Sequence, residues 1–171
     1  MAAITRVRLT GHDDDTHDVA GLPAGLDKSL RGKVAIYDIA GPLFFGAAQK
    51  AMGRLGSIAG RLEVLIIRLD AVPVMDATGL VALESSIATL TKAGCVAVLT
   101  GLQAQPAALL ERAGFRHRPW KLLIRPDLAT GLDLARDLVE KRVPGAAAAG
   151  SAPPTEVDLA PRPPDTGDVV S

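Results

Sequence analysis

Two stretches decide how this chain folds: Ile39-Ala40-Gly41-Pro42-Leu43-Phe44-Phe45-Gly46 and, further along, Val74-Met75-Asp76-Ala77-Thr78-Gly79-Leu80. The first reads as the end of an apolar strand, a Gly-Pro break, and two aromatics entering an Ala-rich helix. The second is an apolar run ending in Asp-Ala-Thr-Gly, which delivers a hydroxyl to the start of the next helix. Both sit where a strand hands over to a helix, the place where α/β sheets present functional groups.

Outward from these stretches, strand and helix patterns alternate. Before the first, Lys33–Ile39 is a strand rich in Val, Ile and Tyr, and Leu43-Phe44 is expected to resume pairing after the break. Ala48, Met52, Leu55 and Ala59 recur at helical spacing, with Gly60 as the stop. Val64–Leu69 lacks polar alternation, as expected of a strand covered on both faces. Thr78 is expected to cap the next helix, whose stripe is Leu80, Leu83, Ile87 and Leu90, and Gly94 ends it. Cys95–Thr100 is a further strand, Gln105–Ala113 a short helix and Leu122–Ile124 a last short strand. A final helix over Asp127–Val143 has Leu128, Leu132, Ala135 and Leu138 on one face.

Such alternation implies βαβ units with right-handed crossovers. The alternating Ile4–Leu9 segment adds an edge strand, which makes the sheet mixed. The expected fold is therefore α/β, a mixed sheet of four to six strands with helices packed mainly on one face. Residues 1–32 form an N-terminal lead with that edge strand and an acidic loop, and residues 33–143 form the domain. Residues 144–171 hold half of the 12 prolines and an Ala-Gly run, and are expected to form a disordered tail.

Composition narrows the function classes. With 171 residues and 48% hydrophobic content, the chain can bury one core, built from aliphatics because aromatics are only 3%. Lys plus Arg equal Asp plus Glu at 19 each, which argues against a nucleic-acid partner. Asp38, Arg68 and Asp70 interrupt the best apolar runs, so the chain taken alone is expected to be soluble. The single Cys95 has no internal disulfide partner and fits a buried strand position.

The order and spacing of the two opening stretches resemble the STAS domain, in the form that follows the membrane helices of SulP-type anion transporters. Asp76-Ala77-Thr78-Gly79 is shared with bacterial anti-sigma-factor antagonists, whereas Gly41-Pro42-Leu43-Phe44-Phe45-Gly46 points to the transporter branch. The resemblance implies a non-catalytic regulatory and interaction domain of a sulfate, bicarbonate or dicarboxylate transporter, held at the cytoplasmic face of the inner membrane. It implies the transmembrane domain of the same protein as partner, and leaves room for other cytosolic proteins, a nucleotide, or a homodimer through the parent transporter. Met1 is then expected to be an artificial start, with membrane segments encoded upstream. No cofactor and no metal are expected. The alternative is a free-standing anti-sigma-factor antagonist switched by phosphorylation at Thr78.

Thr78 is the sharpest candidate, because a phosphate there would meet free helix N–H groups and add nearly two negative charges. The plainer reading is a helix cap. Asp76 could help a kinase engage that hydroxyl or coordinate a polar ligand, or it could hold an Asx-type turn. Gly79 gives a partner close backbone approach. Of Phe44 and Phe45, one is expected in the core and the other exposed for partner contact, following strand alternation. Trp120, among Arg116, Arg118, Lys121 and Arg125, is a further candidate contact, for an acidic partner or anionic headgroups. His12-Asp13-Asp14-Asp15-Thr16-His17-Asp18 has metal-ligating groups without the spacing of a calcium loop and reads as a solvated loop. No base-activated nucleophile is evident, and Gly53, Gly56 and Gly60 lack the Lys-Ser/Thr of a phosphate-binding loop.

Overall fold

The computed structural model describes residues 6–10, 30, 32–53, 55–115 and 122–141. Five strands form one sheet in the order of the chain: β1 Arg6–Thr10, β2 Val34–Ala40, β3 Val64–Ala71, β4 Val96–Thr100 and β5 Leu122–Arg125. β1 runs antiparallel to β2, and β2 to β5 are mutually parallel. Over the described residues the sheet is thus mixed and has five strands, within the four to six that the sequence predicts. The helices are α1 Phe45–Met52, α2 Leu55–Ile58, α3 Ala77–Lys92, α4 Ala104–Arg112 and α5 Leu128–Lys141.

Because strand side chains alternate, the sheet builds two separate cores. Ala35, Tyr37, Leu65, Ile67, Ala97 and Leu99 face α1 to α4, where Leu83, Ile87 and Leu90 of α3 complete the cluster. Ile36, Val64, Ile66, Val96 and Val98 face the other way and pack against Leu132, Ala135 and Leu138 of α5. Each buried aliphatic contributes about 1.5–3 kcal/mol. Four helices on one face and one on the other is why β2 to β4 show no polar alternation in sequence. Tyr37 carries the one hydroxyl on this inner face of β2, and it donates to the carbonyl of Ala51 in α1.

The helix expected over residues 46–59 is three pieces instead: α1, α2 and a 3-10 turn at Ala59–Arg61. Gly53, Gly56 and Gly60 each cost about 1 kcal/mol in a helix interior, and their repetition prevents one continuous helix. Gly60 accordingly lies inside the 3-10 turn rather than at a helix stop. At the Gly41-Pro42 break, Gly41 adopts φ 102°, a backbone conformation that glycine adopts without steric cost. Its N–H donates to Ala71 at 2.8 Å, which ties the end of β2 to the end of β3. Leu43 then pairs with Met75 in a short parallel bridge, so pairing does resume after the break.

Candidate functional site

The two stretches that open the sequence reading meet at the carboxyl ends of β2 and β3. Leu43 N–H donates to Val74 O at 3.0 Å, and Asp76 N–H donates to Leu43 O at 3.4 Å. This short ladder carries the chain from β3 into α3 beside the start of α1.

Asp76, not Thr78, is the N-cap of α3. Its backbone is extended (φ −97°, ψ 177°), and its Oδ1 accepts the Gly79 N–H at 2.7 Å. The N-cap side chain must reach the amide of the second or third helical residue, and Asp76 stands three positions before Gly79. Thr78 is already the second residue of the helix. Its exposed hydroxyl donates to the same Asp76 Oδ1 at 2.6 Å. The Thr78 hydroxyl and then the Gly79 N–H hold the Asp76 carboxyl below its ordinary value. Asp76 therefore does take the turn-holding role, and it anchors the hydroxyl as well.

Gly79 is buried, and the close approach it permits is within the chain. A Cβ there would lie 2.1 Å from the Leu43 carbonyl oxygen. Only a residue without a side chain lets α3 start against this backbone.

Both Phe44 and Phe45 are exposed, at 45% and 61%. The expectation that one of them enters the core is overturned. Strand alternation ends at Leu43, which is buried; Phe44 is the N-cap of α1 and Phe45 its first residue. Neighbours at a helix start turn by roughly 100° rather than 180°, so both leave the core together. Gln49, Met52, Thr78, Val81 and Ser85 join Phe45 around a groove of about 520 Å3 between α1 and α3.

Two glutamines that nothing in the sequence marks hold this region from the far side. Gln105, in the first turn of α4, donates to Met75 O and accepts from Met75 N–H, both at 2.9 Å. Gln103 donates to Asp70 O at the end of β3. Their partners lie about thirty residues away in the chain, so no local pattern announces them. Arg68 likewise joins Asp38 at 3.0 Å and Asp70 at 2.9 Å on the α5 side of the sheet. These three residues, read in sequence only as interruptions of apolar runs, form one ion-pair cluster.

Trp120, with Arg116, Arg118 and Lys121, lies outside the described residues, as do the His12–Asp18 segment and residues 144–171. Among the described residues no three His, Cys, Asp or Glu side chains converge to hold a metal ion. No helix among them is long and apolar enough to cross a membrane.

Comparison with known proteins places this geometry. The family described as STAS domain matches residues 26–130. A crystal structure of a sulfate transporter family protein from Wolinella succinogenes is 32% identical, covering 74% of this chain and 99% of that chain, with a TM-score of 0.56. The STAS domain of a SulP transporter from Vibrio cholerae is 29% identical over 71% of this chain and 89% of that one, with a TM-score of 0.55. Among curated proteins, "Putative sulfate transporter YvdB" of Bacillus subtilis (strain 168) is 29% identical over 119 residues. That match takes in 69% of this chain but only 21% of the transporter's length. With the matched family segment covering most of the sheet and its helices, this chain belongs to the STAS domain family.

Proposed function

We propose that this chain is the regulatory and interaction module of a SulP-type secondary anion transporter, seated at the cytoplasmic face of the membrane, and that it performs no catalysis. The observation that carries this reading is the likeness to the Wolinella sulfate transporter family chain across nearly all of that chain's length. The Bacillus relative supports it, because there the matching segment is a fifth of a much longer transporter. The site is consistent with a module that binds rather than reacts. Asp76 is committed to the Gly79 N–H and the Thr78 hydroxyl, and the carboxylate that the Thr78 hydroxyl meets is a weak base, made weaker by these same hydrogen bonds. The partner is the transmembrane part of the same protein, and Phe44 and Phe45 are exposed for contact.

The test is transport by the complete gene product. Expressed in cells lacking sulfate uptake, it should support uptake of labelled sulfate or a related anion, and deletion of the segment encoding residues 33–141 should reduce that uptake. A stop codon just upstream of Met1, with a serine kinase and a sigma factor encoded alongside, would overturn the transporter reading.

One observation favours a second reading, a switch at Thr78. Its hydroxyl is exposed at the start of α3, within reach of a modifying enzyme. Phosphorylation would remove the 2.6 Å bond to Asp76 and set a dianion beside a carboxylate. Incubation with cell extract and labelled ATP, followed by mass spectrometry, decides it: label on Thr78 that is absent from Thr78→Val supports the switch, and no label on Thr78 removes it.

A further inference from the structure

α5 packs over β3, β4 and β5. Toward β1 the same side of the sheet opens into a cleft of about 680 Å3, lined by Arg6, Asp38, Ala40, Arg68, Asp70 and Ala71. We propose that this cleft binds a tetrahedral oxyanion, sulfate or inorganic phosphate, between the guanidinium groups of Arg6 and Arg68.

Arg68 is oriented before any ligand arrives. Its Nη1 meets Asp38 at 3.0 Å and its Nε meets Asp70 at 2.9 Å, which leaves Nη2 outside both pairs. Asp70 is placed in turn by two neighbours. A Cβ on Gly101 would lie 1.9 Å from its Oδ1, so glycine there leaves room for the carboxylate. Gln103 donates to its carbonyl. The β2–β3 register also slips here, with Asp38 opposite Arg68 but Ala40 opposite Ala71. Such a bulge re-aims side chains. Carboxylates that fix an arginine without using all its donors are the support a binding site requires.

Arg6 supplies the second arm. It is exposed, with no ion-pair partner among the described residues. In register across the sheet it meets Ala40 and then Ala71, and these small residues leave the hollow beside Arg68. Arg8 stands in the adjoining row, opposite Asp38. Arg6, Arg8 and Arg68 against Asp38 and Asp70 leave one positive charge over these rows. That balance selects the ligand. A metal cation is opposed by Arg68, which sits between both carboxylates. A halide gains no directed pairing to set against those carboxylates. An oxyanion can accept paired N–H bonds from two guanidiniums at once, and such charge-assisted bonds are about twice as strong as neutral ones.

Calorimetric titration of the 171-residue chain with sodium sulfate and with sodium phosphate, at constant ionic strength in chloride, tests this independently of transport. Each ion should bind at one site with a dissociation constant of about 1 mM. Amide resonances of Ala40 and Ala71 should shift on titration, and that of Thr78 should not. Arg6→Gln should weaken binding about tenfold with an unchanged thermal midpoint, and Arg68→Gln should abolish it. Should Arg68→Gln fail to fold, Arg6→Glu takes its place and should abolish binding. Arg112→Gln, on the exposed surface of α4, should bind like the original chain. No saturable response to either ion overturns the inference. So does binding that Arg6→Gln leaves intact, that Arg112→Gln weakens equally, or that shifts the start of α3 instead. Cosedimentation with phosphatidic acid vesicles, without any response to the free ions, would make a lipid surface the ligand and overturn it too.

Discussion

Gln105 holds both backbone polar atoms of Met75, donating to its carbonyl and accepting from its N–H at 2.9 Å each. The side-chain amide thus stands in for one rung of a strand ladder, from a helix thirty positions further along the chain. Met75 is 1% exposed and immediately precedes the Asp76 cap, so this clamp sets the position of the Asp76–Gly79 turn.

Gln105→Ala should therefore lower stability by about 1 kcal/mol, the net value of a hydrogen bond whose partners regain some contact with water. Amide exchange at Met75 and Asp76 should accelerate while the centre of β3 is unchanged. Gln105→Glu should resemble the alanine variant at neutral pH, because a carboxylate has no donor for the Met75 carbonyl. It should recover as the acid protonates near or above its ordinary pKa of about 4.3. Urea titration at several pH values, with hydrogen exchange, checks both outcomes.

Asp76 stabilises the fold most strongly as a carboxylate. Its pKa is lowered from 3.8 by the Thr78 hydroxyl first and the Gly79 N–H second. A depressed folded-state value means the contribution is fully present above the ordinary range and is lost as pH falls below 3.8 through the folded value. Asp76→Ala should cost about 1 kcal/mol at neutral pH, and Asp76→Asn less, because an amide oxygen still caps. The gap between the original chain and Asp76→Asn should narrow as pH falls through that window, as read from thermal midpoints at a series of pH values.

Two glycines should respond oppositely to alanine. At Gly79 the new methyl would lie 2.1 Å from the Leu43 carbonyl oxygen, so α3 or the Leu43 segment must move, at a loss of about 3 kcal/mol. At Gly46, in α1, nothing lies within 4 Å of the added atom. There the higher helix propensity of alanine should raise stability by about 0.5–1 kcal/mol. Chemical denaturation of the two variants measures both signs.

Thr100, fully buried on β4, keeps its Oγ1 without a hydrogen-bond partner, and its methyl faces the close approach of Gly131 in α5. Thr100→Val preserves the shape and removes the unpaired hydroxyl. Stability should rise by about 1 kcal/mol. An unchanged or lowered denaturation midpoint would show that the hydroxyl is satisfied in solution.

The sequence alone determined the strands and long helices of the sheet. Unbroken apolar runs, the Leu80, Leu83, Ile87 and Leu90 stripe and the Asp76-Ala77-Thr78-Gly79 turn are local patterns, and local patterns follow from backbone geometry. They also brought the two strand-to-helix junctions to one end of the sheet, since parallel strands with right-handed crossovers leave no other arrangement. Only the tertiary structure decided which residue caps α3, because Asp76 and Thr78 are both competent and the choice depends on where the helix begins. It also put both Phe44 and Phe45 outside, once Leu43 had ended the strand. The Gln105–Met75 clamp and the Asp38–Arg68–Asp70 cluster were invisible in sequence for one physical reason: each depends on which distant segments meet, and a side chain carries no mark of a partner it reaches only after folding.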